Sequence, residues 1–246
     1  MIDAHTPTIL DFGLFVLIGV GLPVWSYVSH RVFKARLARG DADVRWRSYN
    51  ETLMVLWGST VAVLGVWLAT GRPFAELGLA PATGWAAHGA LALAVVGSVA
   101  FAWQAVVVPR SEAARASIRR QLDASPGLED ILPRTPAEYD RFKWLAVTAG
   151  ITEEILFRGF LIWMLSLWVD PWTAGGLALI AFVVAHVYQE SAAALVKVTI
   201  AGAVMTVLYL VSGSLLAPII LHAAIDLANN TMAWRIRQGE ADAARG

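Results

Sequence analysis

The chain has 246 residues, 57% of them hydrophobic and only 15% charged, with a formal net charge of zero. Soluble domains carry about 25% charged residues, so this composition, with a mean hydropathy of +0.59, excludes a soluble enzyme or binding module and indicates a polytopic membrane protein. Cysteine is absent, which excludes disulfides, thiolate metal sites and a cysteine nucleophile, and no basic patch with interleaved aromatics points to nucleic acid.

Apolar runs long enough to cross ~30 Å of hydrocarbon fall near 8–28, 51–70, 85–108, 144–169, 172–188, 195–211 and 214–234. They predict an all-α bundle of about seven transmembrane helices. Asp3 and Asp11 stand ahead of or within the start of the first run, with no basic leader and no small-residue cleavage site, so that run reads as a retained span rather than a signal peptide. Arg31, Lys34, Arg36, Arg39, Arg45 and Arg47 lie between the first and second runs. Arg110, Arg115, Arg119, Arg120, Arg134, Arg141 and Lys143 lie between the third and fourth, and Arg235, Arg237 and Arg245 follow the last. The opposite loops hold only Arg72. Sixteen cations against one predict an outside N-terminus and a cytoplasmic C-terminus.

Four regions follow from this pattern. Residues 1–110 form N-terminal membrane helices without a recognised motif. Residues 111–135 form a cytoplasmic surface segment, because Ser111 to Leu122 alternate charged and small residues at helical spacing. Residues 136–236 form a second membrane core, and 237–246 a cytoplasmic tail. Thr135-Pro136-Ala137-Glu138 is a helix start, with Thr at the N-cap, Pro at the first helical position and Glu closing a capping box. Asp170-Pro171 and Ser212-Gly213-Ser214 read as tight outer turns, and Gly150 as a bend.

The fourth run contains Glu153, Glu154 and Arg158. Ionised groups in hydrocarbon cost at least ~2.5–3.5 kcal/mol each on insertion scales and mark function by default. Glu154 and Arg158 are four apart with the acid first, the favourable order for an ion pair on one helical face. Glu153 is turned about 100° away and is left without that partner. Counted from Trp144, its carboxylate lies roughly 13 Å below the cytoplasmic interface, near mid-membrane. Later runs add His186, and then His222, Asp226 and Asn229 on one stripe. Together these groups suit attack of water on an amide carbonyl. Glu153 is the general base, helped by His186, and His222 is a donor to the oxyanion. The same Glu153, His186 and His222 are an alternative three-ligand set for a divalent metal such as zinc, with a fourth position open, although no HExxH helix is present. His5 and His30 read as solvated flanks, His88 as too shallow to join the set, and Tyr188, Gln189 and Glu190 as a solvated loop. The eleven tryptophans mostly mark span ends and suit an interfacial belt.

EExxxR (Glu153, Glu154, Arg158), FxxxH (Phe182, His186) and HxxxD (His222, Asp226), in this order on successive membrane segments, resemble the CPBP intramembrane proteases, which include the Ras-converting type of CAAX prenyl endopeptidase. The resemblance covers roughly 140–234. It implies a membrane endopeptidase in which 136–236 is the catalytic core, Glu153 and His186 activate water, and His222 and Asp226 form the oxyanion or metal site. It further implies that Glu154 and Arg158 are a supporting ion pair and Phe182 an aromatic neighbour of the site, with Asn229 supporting on the same stripe. Asp226 stands where eukaryotic Ras-converting members have Asn. An ionised Asp cannot donate to an oxyanion, so the expectation adopted is that Asp226 orients His222. The expected partners are membrane lipid and a membrane-associated peptide or protein substrate, in a bacterial inner membrane with the active site facing the cytoplasm. A non-catalytic scaffold or bacteriocin-immunity-type protein of the same family is the rival reading. A proton-coupled transporter is disfavoured, because the chain lacks inverted repeats.

Overall fold

The computed structural model describes residues 6–81 and 83–243; Asp3, His5 and Arg245 lie outside them. Among the described residues there are eleven α-helices: α1 (Ile9–Val16), α2 (Leu22–Ala38), α3 (Val44–Ala69), α4 (Trp85–Val107), α5 (Glu112–Asp123), α6 (Pro126–Ile131), α7 (Pro136–Glu153), α8 (Ile162–Leu165), α9 (Pro171–Val184), α10 (Ala192–Ser212) and α11 (Leu216–Ala243). Wider π-helical winding joins α1 to α2 over Leu17–Gly21 and α7 to α8 over Glu154–Leu161. No strand occurs among the described residues. Among the described residues five stretches are long and apolar enough to cross a membrane: Ile9–Ala38, Val44–Ala69, Trp85–Arg110, Pro171–Gln189 and Ala192–Ser212. The protein is therefore an all-helical, multi-pass membrane protein, with five helices of spanning composition where the sequence predicts about seven. The other two expected spans are helical too. Glu153, Glu154 and Arg158 in one, and His222, Asp226, Asn229 and Asn230 in the other, make them too polar to qualify on composition.

Local sequence sets the helix starts. The Glu138 N–H donates to the Thr135 hydroxyl at 3.2 Å and the Glu138 carboxylate accepts from the Thr135 N–H at 3.1 Å, closing the expected capping box. Asp170 caps α9 by accepting from the N–H groups of Trp172 and Thr173, with Pro171 at the first helical position. Gly213, at φ +67°, ends α10 in the left-handed conformation that favours glycine.

The centre of the bundle is the π-helical stretch itself, whose eight residues are all buried. Leu156, Phe160, Leu161 and Met164 pack there against Ile18, Trp67 and Ala174. Large apolar side chains such as Leu68, Leu93, Val96, Ile180 and Ile200 are exposed on the outside, as a lipid-facing surface requires. Asp11 lies inside the bundle. It is fully buried and takes Arg72 bidentately, at 2.8 and 2.7 Å, while the Arg72 guanidinium lies 4.6 Å from the centre of the Trp163 ring and 5.3 Å from that of Trp67. That pair ties α1 to the far end of α3 and to α8. Gly150 lies within the unbroken helix α7. It is a point of contact, where an added Cβ would come within 2.7 Å of the Ala223 nitrogen on α11.

At the cation-rich end, α5 and α6 fold back over the bundle. Glu129 on α6 pairs with Arg134 at 3.2 Å, with Arg119 at 3.8 Å and with Arg237 of α11. Arg45 and Tyr49 of α3 donate to the carbonyls of Asp130 and Ile131. The segment 111–135 thus forms a cap on the bundle rather than a free surface strip, and α11 continues through the expected tail to Ala243.

Candidate active site

Glu153 is the last residue of α7 and Glu154 the first of the π-helical stretch. A π-turn takes up an extra residue per turn and recurs at functional sites; here the winding changes between the two acids. Glu154 is completely buried, and its Oε1 accepts from Arg158 Nη1 at 3.0 Å and from His222 Nδ1 at 2.7 Å. Arg158 also donates to the Gly202 carbonyl at 3.1 Å and lies 4.1 Å from the centre of the Phe182 ring. A Cβ on Gly202 would approach Leu179 Cδ1 to 2.7 Å and Arg158 Nη2 to 3.1 Å, so glycine makes room for the guanidinium. The sequence reading gave Glu154 only Arg158 as partner; the fold adds the histidine from α11.

Glu153 lines a cavity and lacks the donors that Glu154 has. Its Oε2 is buried without a hydrogen-bond partner and stands 4.0 Å from His222 Nε2. That separation is too long for a direct hydrogen bond and suits one bridging water at ~2.8 Å from each group. Asp226 Oδ2 is 3.6 Å from the same Nε2. The orienting hydrogen bond on His222, expected from Asp226, therefore comes from Glu154 on the other nitrogen. Asp226 is the more open of the two acids, with 36% of its side chain exposed against none of Glu154.

His186 lies just beyond the end of α9, between that helix and a 3-10 turn over Val187–Gln189. The last carbonyls of a helix lack intrahelical partners, and the Phe182 carbonyl finds one in His186 Nδ1 at 2.8 Å. A carbonyl only accepts, so Nδ1 carries the hydrogen and Nε2 keeps its lone pair. Phe182 ties the set together, with its ring centre 4.5 Å from that of His186 and 6.2 Å from that of His222.

Glu153, Phe182, His186, His222, Asp226 and Asn229 all line one cavity of about 450 Å³, within the range of small-ligand sites. It runs toward the cation-rich end, where Ile118, Leu122, Leu128 and Leu132 of the cap form part of its wall. Ser26, Ser29 and His30 of α2 and Tyr49, Thr52 and Leu56 of α3 close another side, so the motif-free N-terminal helices complete the chamber. Asn229 is exposed at its edge, whereas Asn230 is buried.

Several sequence expectations fail at this wall. His30 is buried rather than solvated, with its ring centre 5.4 Å from that of Tyr188. Tyr188 and Gln189 form part of the lining instead of a solvated loop, and only Glu190 is exposed, paired with Lys34 at 2.7 Å. Asn230 continues the 222, 226 spacing at i+4, a signal present in the sequence. No sequence pattern marks His30, because packing alone brings it to Tyr188.

The donor set does not fit a metal centre. Among the described residues no group of three or more His, Asp or Glu could hold an ion. Glu153 and His222 stand 4.0 Å apart, nearly two zinc–ligand bonds end to end, where tetrahedral donors lie ~3.4 Å apart.

Fold and site thus define a membrane-embedded helical domain with a buried Arg–Glu–His relay beside an unpartnered carboxylate in a cavity. Residues 141–228 match the family described as type II CAAX prenyl endopeptidase Rce1-like. No curated protein and no solved structure matches the chain. The family match supports a membrane endopeptidase in general terms, and its span includes every motif residue from Glu153 to Asp226.

Proposed function

We propose that the protein is an intramembrane endopeptidase that hydrolyses a peptide bond of a membrane-associated substrate, with Glu153 as the base. The observation that carries this reading is the buried, unpartnered Glu153 Oε2 at 4.0 Å from His222 Nε2 on a cavity wall. A buried polar atom left without a partner is costly, and a water held between the two groups would relieve that cost at the position where a nucleophile is needed.

In this mechanism Glu153 takes one proton from water, while the other hydrogen stays on the oxygen and donates a hydrogen bond to the lone pair of His186 Nε2. The hydroxide adds to the scissile carbonyl carbon. His222, fixed through Nδ1 by Glu154, presents Nε2 to the developing oxyanion, and a doubly protonated ring donates there. The carbon–nitrogen bond then breaks, and Glu153 returns its proton to the leaving amine. Asp226 faces Nε2 from the cavity side and balances charge on the imidazole. Arg158 holds Glu154, and Phe182 holds both the guanidinium and the His186 ring. The family name supports a lipidated, CAAX-like peptide as the first substrate class to try. The cation bias supports a cavity mouth on the cytoplasmic side of the inner membrane.

Glu153→Gln removes the base with little change in shape. We expect cleavage of a quenched-fluorescence lipopeptide to fall by about 10²–10⁴-fold while the protein accumulates in the membrane at the wild-type level. Unchanged cleavage in that variant would sink the mechanism. A wild-type phenotype that survives Glu153→Gln would favour the non-catalytic scaffold or immunity-type role.

A further inference from the structure

We infer that Asn230 grips the backbone of the bound peptide, roughly three to four residues from the bond that is cut; this rests on the cavity being the substrate chamber proposed above. Asn230 is 2% exposed, and both polar atoms of its side chain, Oδ1 and Nδ2, are buried without a hydrogen-bond partner. Natural proteins pair buried polar groups almost without exception, and a doubly unpaired amide calls for an explanation. Asn230 lines the same cavity as Glu153, His186 and His222. Among the described residues, only Glu153, His30 and Asn230 both line that cavity and carry an orphaned buried side-chain atom. Glu153 has its role in the proposed hydrolysis. The Asn230 carboxamide has one acceptor and two donor hydrogens, the complement of a peptide N–H and C=O.

Its place on α11 sets the register. His222, Asp226 and Asn230 are spaced i, i+4, i+8, so they share one face of the helix. Eight residues at 1.5 Å put Asn230 roughly 12 Å from His222 along the axis, toward the end where Arg237 meets the cap through Glu129. An extended peptide, at ~3.3 Å per residue, covers that distance in between three and four residues. A chain entering under α5 and α6 would lie along α11, be held at Asn230 and reach His222 with its scissile carbonyl. Because the contact is to main chain, it fixes depth and register without selecting side chains.

The test uses the full chain in lipid nanodiscs and a fluorescein-labelled farnesylated dodecapeptide, together with its set of single N-methyl variants. Affinity is read by anisotropy and cleavage is followed in parallel. Asn230→Ala should weaken Kd by about tenfold, the loss expected for one to two ordinary hydrogen bonds. One N-methyl group should weaken binding to the wild-type protein but not to Asn230→Ala, a pairing that a merely structural asparagine would not show. Asn230→Leu should weaken binding equally while its Tm is held or raised, since it removes the orphaned polar atoms. Equal affinity in wild type and Asn230→Ala, or identical N-methyl penalties in both, overturns the grip. Asn230-dependent binding without cleavage supports the grip and rejects the hydrolase reading. Cleavage with Asn230-independent binding rejects the grip alone.

Discussion

Two adjacent glutamates on one turn have opposite duties because of what reaches each from other helices. Glu154 takes both Arg158 and His222 on its Oε1, so its charge is compensated inside the bundle although its Oε2 is unpartnered. Glu153 meets no such donor and keeps a buried oxygen unpaired on the cavity wall. This asymmetry predicts different phenotypes. Glu154→Gln strands a guanidinium that is 1% exposed, and removing one partner of a buried pair costs about 3–5 kcal/mol. That variant should lose Tm or fail to accumulate, whereas Glu153→Gln should fold normally and lose turnover. Thermal unfolding followed by tryptophan fluorescence separates the two. A Glu154→Gln protein as stable as wild type would show that the Arg158 charge is satisfied by Gly202 and Phe182 alone.

Among the elements, α7 and α11 decide whether His222 reaches Glu153. They meet at Gly150 against Ala223, the residue next to His222. A Cβ there would meet the Ala223 nitrogen at 2.7 Å and its Cα at 2.9 Å, and backbone cannot move aside as a flexible side chain can. Gly150→Ala should therefore push the helices apart, lowering Tm and slowing cleavage by the loss of the Glu153–His222 spacing. Gly65 has nothing within 4 Å of an added Cβ, so Gly65→Ala is the matched control and should change neither. If Gly150→Ala keeps full activity, the α7–α11 contact does not set the site. The end of α9 contributes in another way. Stopping the helix at Val184 frees the Phe182 carbonyl to fix the tautomer of His186, which a helix continuing through His186 would have prevented.

For the whole molecule, the cavity opens toward the end that collects the arginines and lysines, under a cap whose Glu129 meets Arg119, Arg134 and Arg237. Charge bias predicts that this end faces the cytoplasm, and the absence of cysteine makes the orientation directly measurable. Asp41 and Thr83 are both exposed, in loops at opposite ends of α3. Thr83→Cys should react with a membrane-impermeant maleimide on intact cells, and Asp41→Cys only after permeabilisation. The reverse pattern would turn the molecule over and put the cavity mouth outside.

The sequence alone determined the solvent of this protein, its helical class and the polar groups that line or support its cavity. Apolar runs and polar interruptions are one-dimensional signals, so Glu153, Glu154, Arg158, His186, His222 and Asp226 could all be read from the chain, as could the Thr135 and Asp170 helix starts. Span number was less legible, because the same polar residues that mark the site lower the apolarity of the two helices that carry them. What tertiary structure decided is who faces whom across helices distant in sequence. It gave His222 to Glu154 rather than to Asp226, drew His30 and Tyr188 into the chamber wall, folded 111–135 into a cap and buried Asn230 in place of Asn229. Each of these depends on distances between helices, set by close contacts such as Gly150 on Ala223 and Gly202 beside Arg158, and no periodicity within a single segment encodes them.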